Sequence, residues 1–214
     1  METLENSLKF RQWKALLESN GVVFKSIEPL ELVHKPNGEL LFALLRIDAH
    51  NPNGEKLLPV VLLRGHFVTV VTVLTEEESG QEYLLLVRQT RVSHGKRTFE
   101  HPAGMCDSTT DAFAVAVKEV SEETGLKIDR SQLRLLTPEM AYTSAGLLDE
   151  GGYIFACELR MPKAELDTFR NKTAGAENES EFIQTYICTI PEAMPLMDSV
   201  VSKLALFMYL DSKK

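Results

Sequence analysis

The sequence predicts a mixed α/β fold of the α+β type, because β-rich runs and helical segments alternate irregularly. Three observations carry this. "FVTVVTVLT" and "EYLLLVRQT" are consecutive strands across the polar turn "EEESGQ", with no helix between them. A stretch up to Leu63 holds three more strand signals and reads as a small N-terminal sheet. The clearest helix, from about Asp111 to Thr124, stands after the strands instead of between each pair, so the rhythm is not that of a doubly wound sheet.

In chain order, "LENSLKFRQWKALLESNG" sets Leu8, Trp13, Leu16 and Leu17 near helical spacing and stops at Asn20-Gly21. Trp13, the sole tryptophan, belongs to the core of that helix. "VVFKSIEPLELVH" and "ELLFALLRIDAH" read as strands across the turn "KPNG", and "LLPVVLLRG" follows the turn "HNPNGEK" as a third. After the two central strands, "RTFEHPAG" follows the polar loop "RVSHGK". The clear helix has Phe113, Val117 and Val120 as its stripe, Asp107, Ser108, Thr109 and Thr110 as N-cap candidates, and Gly125 as its stop. "GGYIFACEL" and "EFIQTYICTI" are further strands. "DSVVSKLALFMYLD" closes the chain as a helix with Val200, Leu204 and Met208 on one face. The division expected is residues 1–63, a helix and small sheet, and residues 64–214, one larger domain.

Composition excludes several functions. A net charge of −8, from 23 basic and 31 acidic residues, repels nucleic acid. Cys106, Cys157 and Cys188 are odd in number and lack CxxC spacing, which argues against a disulfide framework or a zinc site. Reduced thiols fit a cytoplasmic setting, with an organelle as the alternative if a transit peptide precedes this sequence. The apolar run "LLPVVLLRGHFVTVVTVL" is broken by Arg64, Gly65 and His66 and reads as two strands, not a membrane span. His66, His94 and His101 have no metal-ligand spacing.

The end of the clear helix, "KEVSEETGL", gathers Glu119, Glu122 and Glu123 on about a third of the circumference, with Lys118 one turn before Glu122. A charge run on a helix is usually a solvated face. Two features oppose that reading: Val117 and Val120 put the carboxylates at the edge of the buried stripe, and acids at a helix C-terminus oppose its dipole. Clustered carboxylates at such a cost suit a hard divalent cation.

Gly104, Lys118, Glu119, Val120, Glu122, Glu123, Gly125 and Leu126 resemble the Nudix box, G-x5-E-x7-R-E-U-x-E-E-x-G-U, with every spacing kept. Two positions depart: Thr110, beside Asp111, stands where the box has its first glutamate, and Lys118 where it has arginine. Outside the box, "LLLVRQTRVSHGKRTFEHPAGM" is similar to the V-x-Q-x-R strand and E-x-P-A-G turn of ADP-ribose and ADP-sugar pyrophosphatases. "SAGLLDE" resembles their SPG…E loop, with Ala145 in place of proline, and "GAENESEFIQ" their late acidic loop.

The resemblance implies a Nudix fold, an α/β/α sandwich with a mixed sheet, preceded by a small dimerising sheet. It implies metal-dependent hydrolysis of a nucleoside diphosphate sugar, ADP-ribose or an ADP-hexose, with a UDP-sugar as alternative. A Nudix-like nucleotide sensor without catalysis is the reading from a different class, favoured by Thr110 and Lys118. The implied cofactor is Mg²⁺, or Mn²⁺, held by Glu119, Glu123, Glu122 and the main-chain carbonyl of Ala103. Glu122 is either a ligand or the partner of a metal-bound water. The base falls among Glu177, Glu179 and Glu181, with Glu179 first and Glu181 second. Arg88, Arg91, Glu100, Gly104, Ser144 and Glu150 are the substrate-facing candidates. Phe99 and Tyr142 could stack an adenine, with core packing the better reading for Phe99. A homodimer is expected, with no nucleic-acid or membrane partner.

Overall fold

Helix α1 (Leu8–Ser19) starts where the Ser7 hydroxyl accepts the Phe10 N–H at 3.3 Å, and it ends at Asn20, the stop read from the sequence. The structure, a computed structural model, describes residues 1–174 and 182–214. These gather into two compact units. In the first, β1 (Val23–His34), β2 (Leu40–His50) and β3 (Val60–Leu63) form an antiparallel sheet in that order. Central β2 alternates, burying Leu40, Ala43, Leu45, Ile47 and Ala49 in one cluster with Phe10 and Trp13 of α1. Trp13 is 6% exposed, with its ring 5.4 Å from that of Phe24. Pro29 is tolerated in β1 because that strand is an edge, and the register shifts beside it.

The first unit comprises residues 1–67 together with 105–110 and 140–152, so it differs from the single cut expected after residue 63. Polar ties across long sequence separations explain the difference. Asp107 pairs with Lys9 at 3.1 Å and Lys35 at 2.7 Å, and the Cys106 N–H donates to the His66 carbonyl at 2.8 Å. The buried Asp149 carboxylate accepts the N–H groups of Arg64 (2.6 Å) and Gly65 (3.1 Å), which closes the turn where Gly65 has φ +93°. Burial pushes the Asp149 carboxyl up, against the opposing effect of these two N–H groups and of Lys9.

The remaining elements are β4 (Phe67–Glu76), β5 (Glu82–Thr90), β6 (Arg97–Glu100), β7 (Ala103–Met105), α2 (Ala112–Thr124), β8 (Leu133–Leu135), β9 (Ala141–Tyr142), β10 (Gly151–Met161), α3 (Lys163–Asp167), β11 (Thr173–Ala174), β12 (Ile183–Thr189), α4 (Ile190–Leu196) and α5 (Val200–Asp211). The large sheet runs β11-β12-β5-β4-β10-β8, with β6 beside β5, β7 beside β4 and β9 beside β10. In the second unit, Leu84, Leu86, Ile154 and Ala156 pack on Ala193 of α4 and on Ala205, Leu206 and Tyr209 of α5. The alternate residues Leu85, Val87 and Phe155 are buried on the other face, where the Phe155 ring meets Phe113 of α2 at 4.8 Å. Helices therefore cover both faces, giving the α/β/α layering and mixed sheet expected. β4 is buried on both sides, which explains its unbroken apolar reading.

Two details differ from expectation. The cap of α2 is Asp111, which accepts the Ala114 N–H at 3.2 Å; Asp107 is held by the two lysines instead. Helix α5 buries Ser202, Ala205, Leu206 and Tyr209, whereas Val200 and Leu204 face outward. Apolar residues ring α5, so periodicity could not choose a face; the small Ser202 and Ala205 let the helix approach the sheet. No helix among the described residues is long and apolar enough to cross a membrane.

Candidate active site

Helix α2 ends against Pro102 and the first two residues of β7, Ala103 and Gly104. The Val70 N–H of β4 donates to the Pro102 carbonyl at 2.9 Å, which anchors the entry of β7 to the central sheet. Glu123, 6% exposed, accepts the Ala103 N–H on Oε2 at 2.9 Å. One helical turn earlier, Glu119 lies against Gly104: a Cβ there would sit 2.1 Å from Glu119 Cδ and 2.4 Å from Oε1. Glycine is required at 104 for that carboxylate to approach the backbone. Lys118 Nζ pairs with Glu122 at 2.8 Å and lies 3.6 Å from Glu119. The lysine at the box's arginine position thus holds both carboxylates, by a point charge instead of a planar fork.

Arg91 grips Glu100 with two hydrogen bonds, Nε to Oε1 at 3.0 Å and Nη2 to Oε2 at 2.7 Å, and the Thr98 hydroxyl adds a third at 2.6 Å. Burial opposes ionisation of Glu100, but the Arg91 and Thr98 bonds outweigh it and hold the carboxyl below its ordinary range. Glu100 faces Val87 across the β5–β6 ladder, on the α2 side of the sheet. Arg88 is opposite Phe99 in the same ladder and therefore points to the other face. There it bonds Gln184 (Nε to Oε1, 3.0 Å) and lies 5.8 Å from the Tyr186 ring. The structure thus separates Arg88 from the glutamates while it places Arg91 and Glu100 on their side. Phe99 packs edge-on against Tyr186 in the core, as read. His101 is buried and neutral, its imidazole pushed down to about 4 by burial.

Ser144 and Glu150 belong to the first unit. Glu150 is an ion-pair partner of Arg64 and accepts from the Thr143 hydroxyl at 3.0 Å; Ser144 accepts backbone bonds from Leu147 and Leu148 that close its loop. Tyr142 is 45% exposed and beside Gly151. Glu177, Glu179 and Glu181 lie outside the described residues. Two contributors had escaped sequence reading. Arg130 binds both oxygens of Asp111, at 2.9 and 2.6 Å, with its guanidinium 4.5 Å from the Phe113 ring centre. Lys172 brings its ammonium to 2.0 Å from where a Cβ on Gly125 would stand, at the negative end of the α2 dipole. Neither follows a local pattern, so only the fold shows them.

The candidate metal donors are all oxygens, the carboxylates of Glu119, Glu122 and Glu123 and the Ala103 carbonyl, a set that fits Mg²⁺ or Mn²⁺ in kind. The fit in placement rests on Glu119 and Glu123, which both abut Ala103–Gly104. Among the described residues no three His, Cys, Asp or Glu side chains stand in a metal-holding group, and Glu122 leans to Lys118.

By architecture this is a layered α/β protein whose acidic helix abuts a glycine in a short strand. A solved "ADP compounds hydrolase" matches it with a TM-score of 0.60 over 89% of this chain and 93% of that one; at 16% identity the likeness concerns the fold alone. The sequence model of the NUDIX domain matches residues 65–198, and the chain belongs to the Nudix family. It is 30% identical over 201 residues to "Nudix hydrolase 14, chloroplastic" of Arabidopsis thaliana, covering 86% of this chain and 63% of that protein. It is 28% identical over 132 residues to the ADP-ribose pyrophosphatase of Bacillus subtilis (strain 168), covering 60% and 62%. The chain thus spans less than two thirds of the length of these relatives.

Proposed function

We propose that the protein hydrolyses the pyrophosphate bond of a nucleoside diphosphate sugar, ADP-ribose or an ADP-hexose, to a nucleoside monophosphate and a sugar phosphate. The observation that carries this is the seating of Glu119 and Glu123 on Ala103 and Gly104 of β7, at the spacing of the Nudix box. The named activity of the Bacillus relative supports the substrate class. Glu119, Glu122, Glu123 and the Ala103 carbonyl would hold Mg²⁺ or Mn²⁺. When bound, the ion supplies charge neutralisation of the diphosphate and activation of water.

The chain's own residues do the rest. The Ala103 N–H fixes the Glu123 carboxylate, so its orientation does not depend on the substrate. Lys118 sets its positive charge beside both Glu119 and Glu122. Arg91 holds Glu100 as an anion on the same side of the sheet, able to orient a substrate hydroxyl or a water. Glu179, with Glu181 second, is our choice for the base that takes the proton from water, and Glu122 is the alternative within the helix. Arg88 would act only from the opposite face of the sheet, so Arg91 is the stronger substrate-side candidate. The first unit, with β1 as an edge strand, is the surface we assign to a homodimer.

The test is to incubate the protein with ADP-ribose, ADP-glucose or UDP-glucose and Mg²⁺, and to measure AMP, UMP and sugar phosphate. AMP release that stops on chelation is expected, with the circular dichroism spectrum unchanged. UMP release alone would assign the UDP-sugar activity. Binding without any turnover would replace the enzyme reading with the sensor reading.

A further inference from the structure

Arg88 lies on the sheet face opposite the glutamates, and its surroundings fix its position without balancing its charge. Its Nε donates to Gln184 Oε1 at 3.0 Å. Its Nη2 bonds the same oxygen and reaches Asn171 Oδ1 at 3.4 Å. Gln184 is itself held by its Nε2, which donates to the Asn171 carbonyl at 2.9 Å. The guanidinium stands 5.8 Å from the Tyr186 ring centre. Every one of these partners is neutral. Among the described residues Arg88 pairs with no carboxylate, and its Nη1 carries no bond. Asn171 adds an independent sign. Among the described residues it is the non-glycine with a positive φ, +53°, a conformation that collects at ligand sites. A left-handed residue thus aims its amide oxygen at an arginine.

A second arginine shares this face. On β6, Phe99 is opposite Arg88 and Arg97 is opposite Thr90, so Arg97 stands diagonal to Arg88 on the same side. It is exposed, and among the described residues it too pairs with no carboxylate. Like charges placed diagonally across strands repel. Arg91, on the other face, is by contrast gripped by Glu100. We propose that Arg88 and Arg97 form a binding site for a phosphate monoester. A planar guanidinium already oriented by amide oxygens suits phosphate oxygens, and a monoester carries close to two negative charges at neutral pH. Its charge offsets both arginines, which the neutral neighbours leave unbalanced. The two products of the hydrolysis proposed above are monoesters of this kind, but the site stands without that reading.

The experiment strips the whole chain of metal with EDTA, dialyses it, and titrates it with inorganic phosphate, AMP or ribose 5-phosphate. Arginine Nε resonances are followed by ¹H–¹⁵N NMR. A shift of the Arg88 Nε signal is expected, with a dissociation constant on the order of 1 mM. Arg88→Gln weakens binding by about tenfold, and the exposed Arg97→Gln by about threefold. Arg88→Lys weakens it by about fivefold although it keeps the charge, because an ammonium lacks the fork. Asn171→Gly relieves the left-handed backbone and releases the guanidinium, so the melting temperature holds or rises while affinity falls by about threefold. Equal affinity for the three ligands supports recognition of the phosphate alone, and tighter AMP binding supports the same site with a nucleoside contact added. Absence of saturable binding by all three would overturn the site. So would wild-type affinity in both Arg88→Gln and Arg97→Gln. An equal loss in Arg160→Gln, the same charge change at an exposed position of β10, would also overturn it by reducing the effect to general charge attraction. Because metal is absent, the outcome is independent of whether the glutamates support hydrolysis.

Discussion

Gly104 and Glu123 tie α2 to β7, and each can be tested alone. Glu123→Gln keeps shape and the Ala103 hydrogen bond but removes a charge. Its expected effect is a loss of metal-dependent turnover of roughly 10³-fold, with the melting temperature kept; a fully active variant would remove Glu123 from the metal set. Gly104→Ala puts a methyl 2.1 Å from Glu119 Cδ, so the carboxylate must move. A drop in kcat/KM of about 100-fold is expected, accompanied by weaker metal activation in a Mg²⁺ titration. Glu100 gives a pH test. Its folded pKa is lowered, so its stabilising contribution is present above the unfolded value of 4.5 and is lost as pH falls through the lower folded value. Arg91→Met leaves only the Thr98 bond and the charge of His94 against burial, so the Glu100 pKa should rise and the acid-unfolding midpoint should move to higher pH; an unmoved midpoint would show that Arg91 does not hold this charge. The carboxylates of α2 were legible in sequence because the box has fixed spacing along one helix. Arg130 and Lys172 were not, since each reaches its target through the fold.

At the scale of elements, α2 depends on its ends. Asp111 caps the start with help from Arg130, and Gly125 closes it at φ +74°. Alanine at 125 would pay for the left-handed conformation and would displace Lys172, so Gly125→Ala should cost about 1–2 kcal/mol, read as a lower melting temperature. Unchanged melting would mean the helix end relaxes freely. Long strands such as β2 and β5 were readable because alternation or sheer apolarity over nine or more residues leaves few alternatives. α4 was not: its seven residues include Pro195, and Ala193 is its one fully buried side chain. The buried face of α5 was also hidden, because a helix apolar all round offers periodicity no preferred side.

At the scale of the molecule, the interior keeps its thiols inert. Cys106, Cys157 and Cys188 are buried without a disulfide, and burial, then a neighbouring glutamate, pushes Cys157 and Cys188 up to about 11. The native protein should react slowly with a thiol reagent and release three equivalents only in denaturant; fast reaction of Cys157 or Cys188 in the native state would show that burial does not hold. The acid composition and the layered fold were plain in sequence, but the membership of the first unit was not, because ion pairs such as Lys9–Asp107 join residues with no shared pattern. That discontinuity also has a kinetic side. The Arg64–Gly65 turn waits for the carboxylate of Asp149, 84 or more residues later in the chain. On the ribosome the N-terminal sheet therefore emerges long before its last fastener exists, and it must remain unaggregated until residues 140–152 have been made.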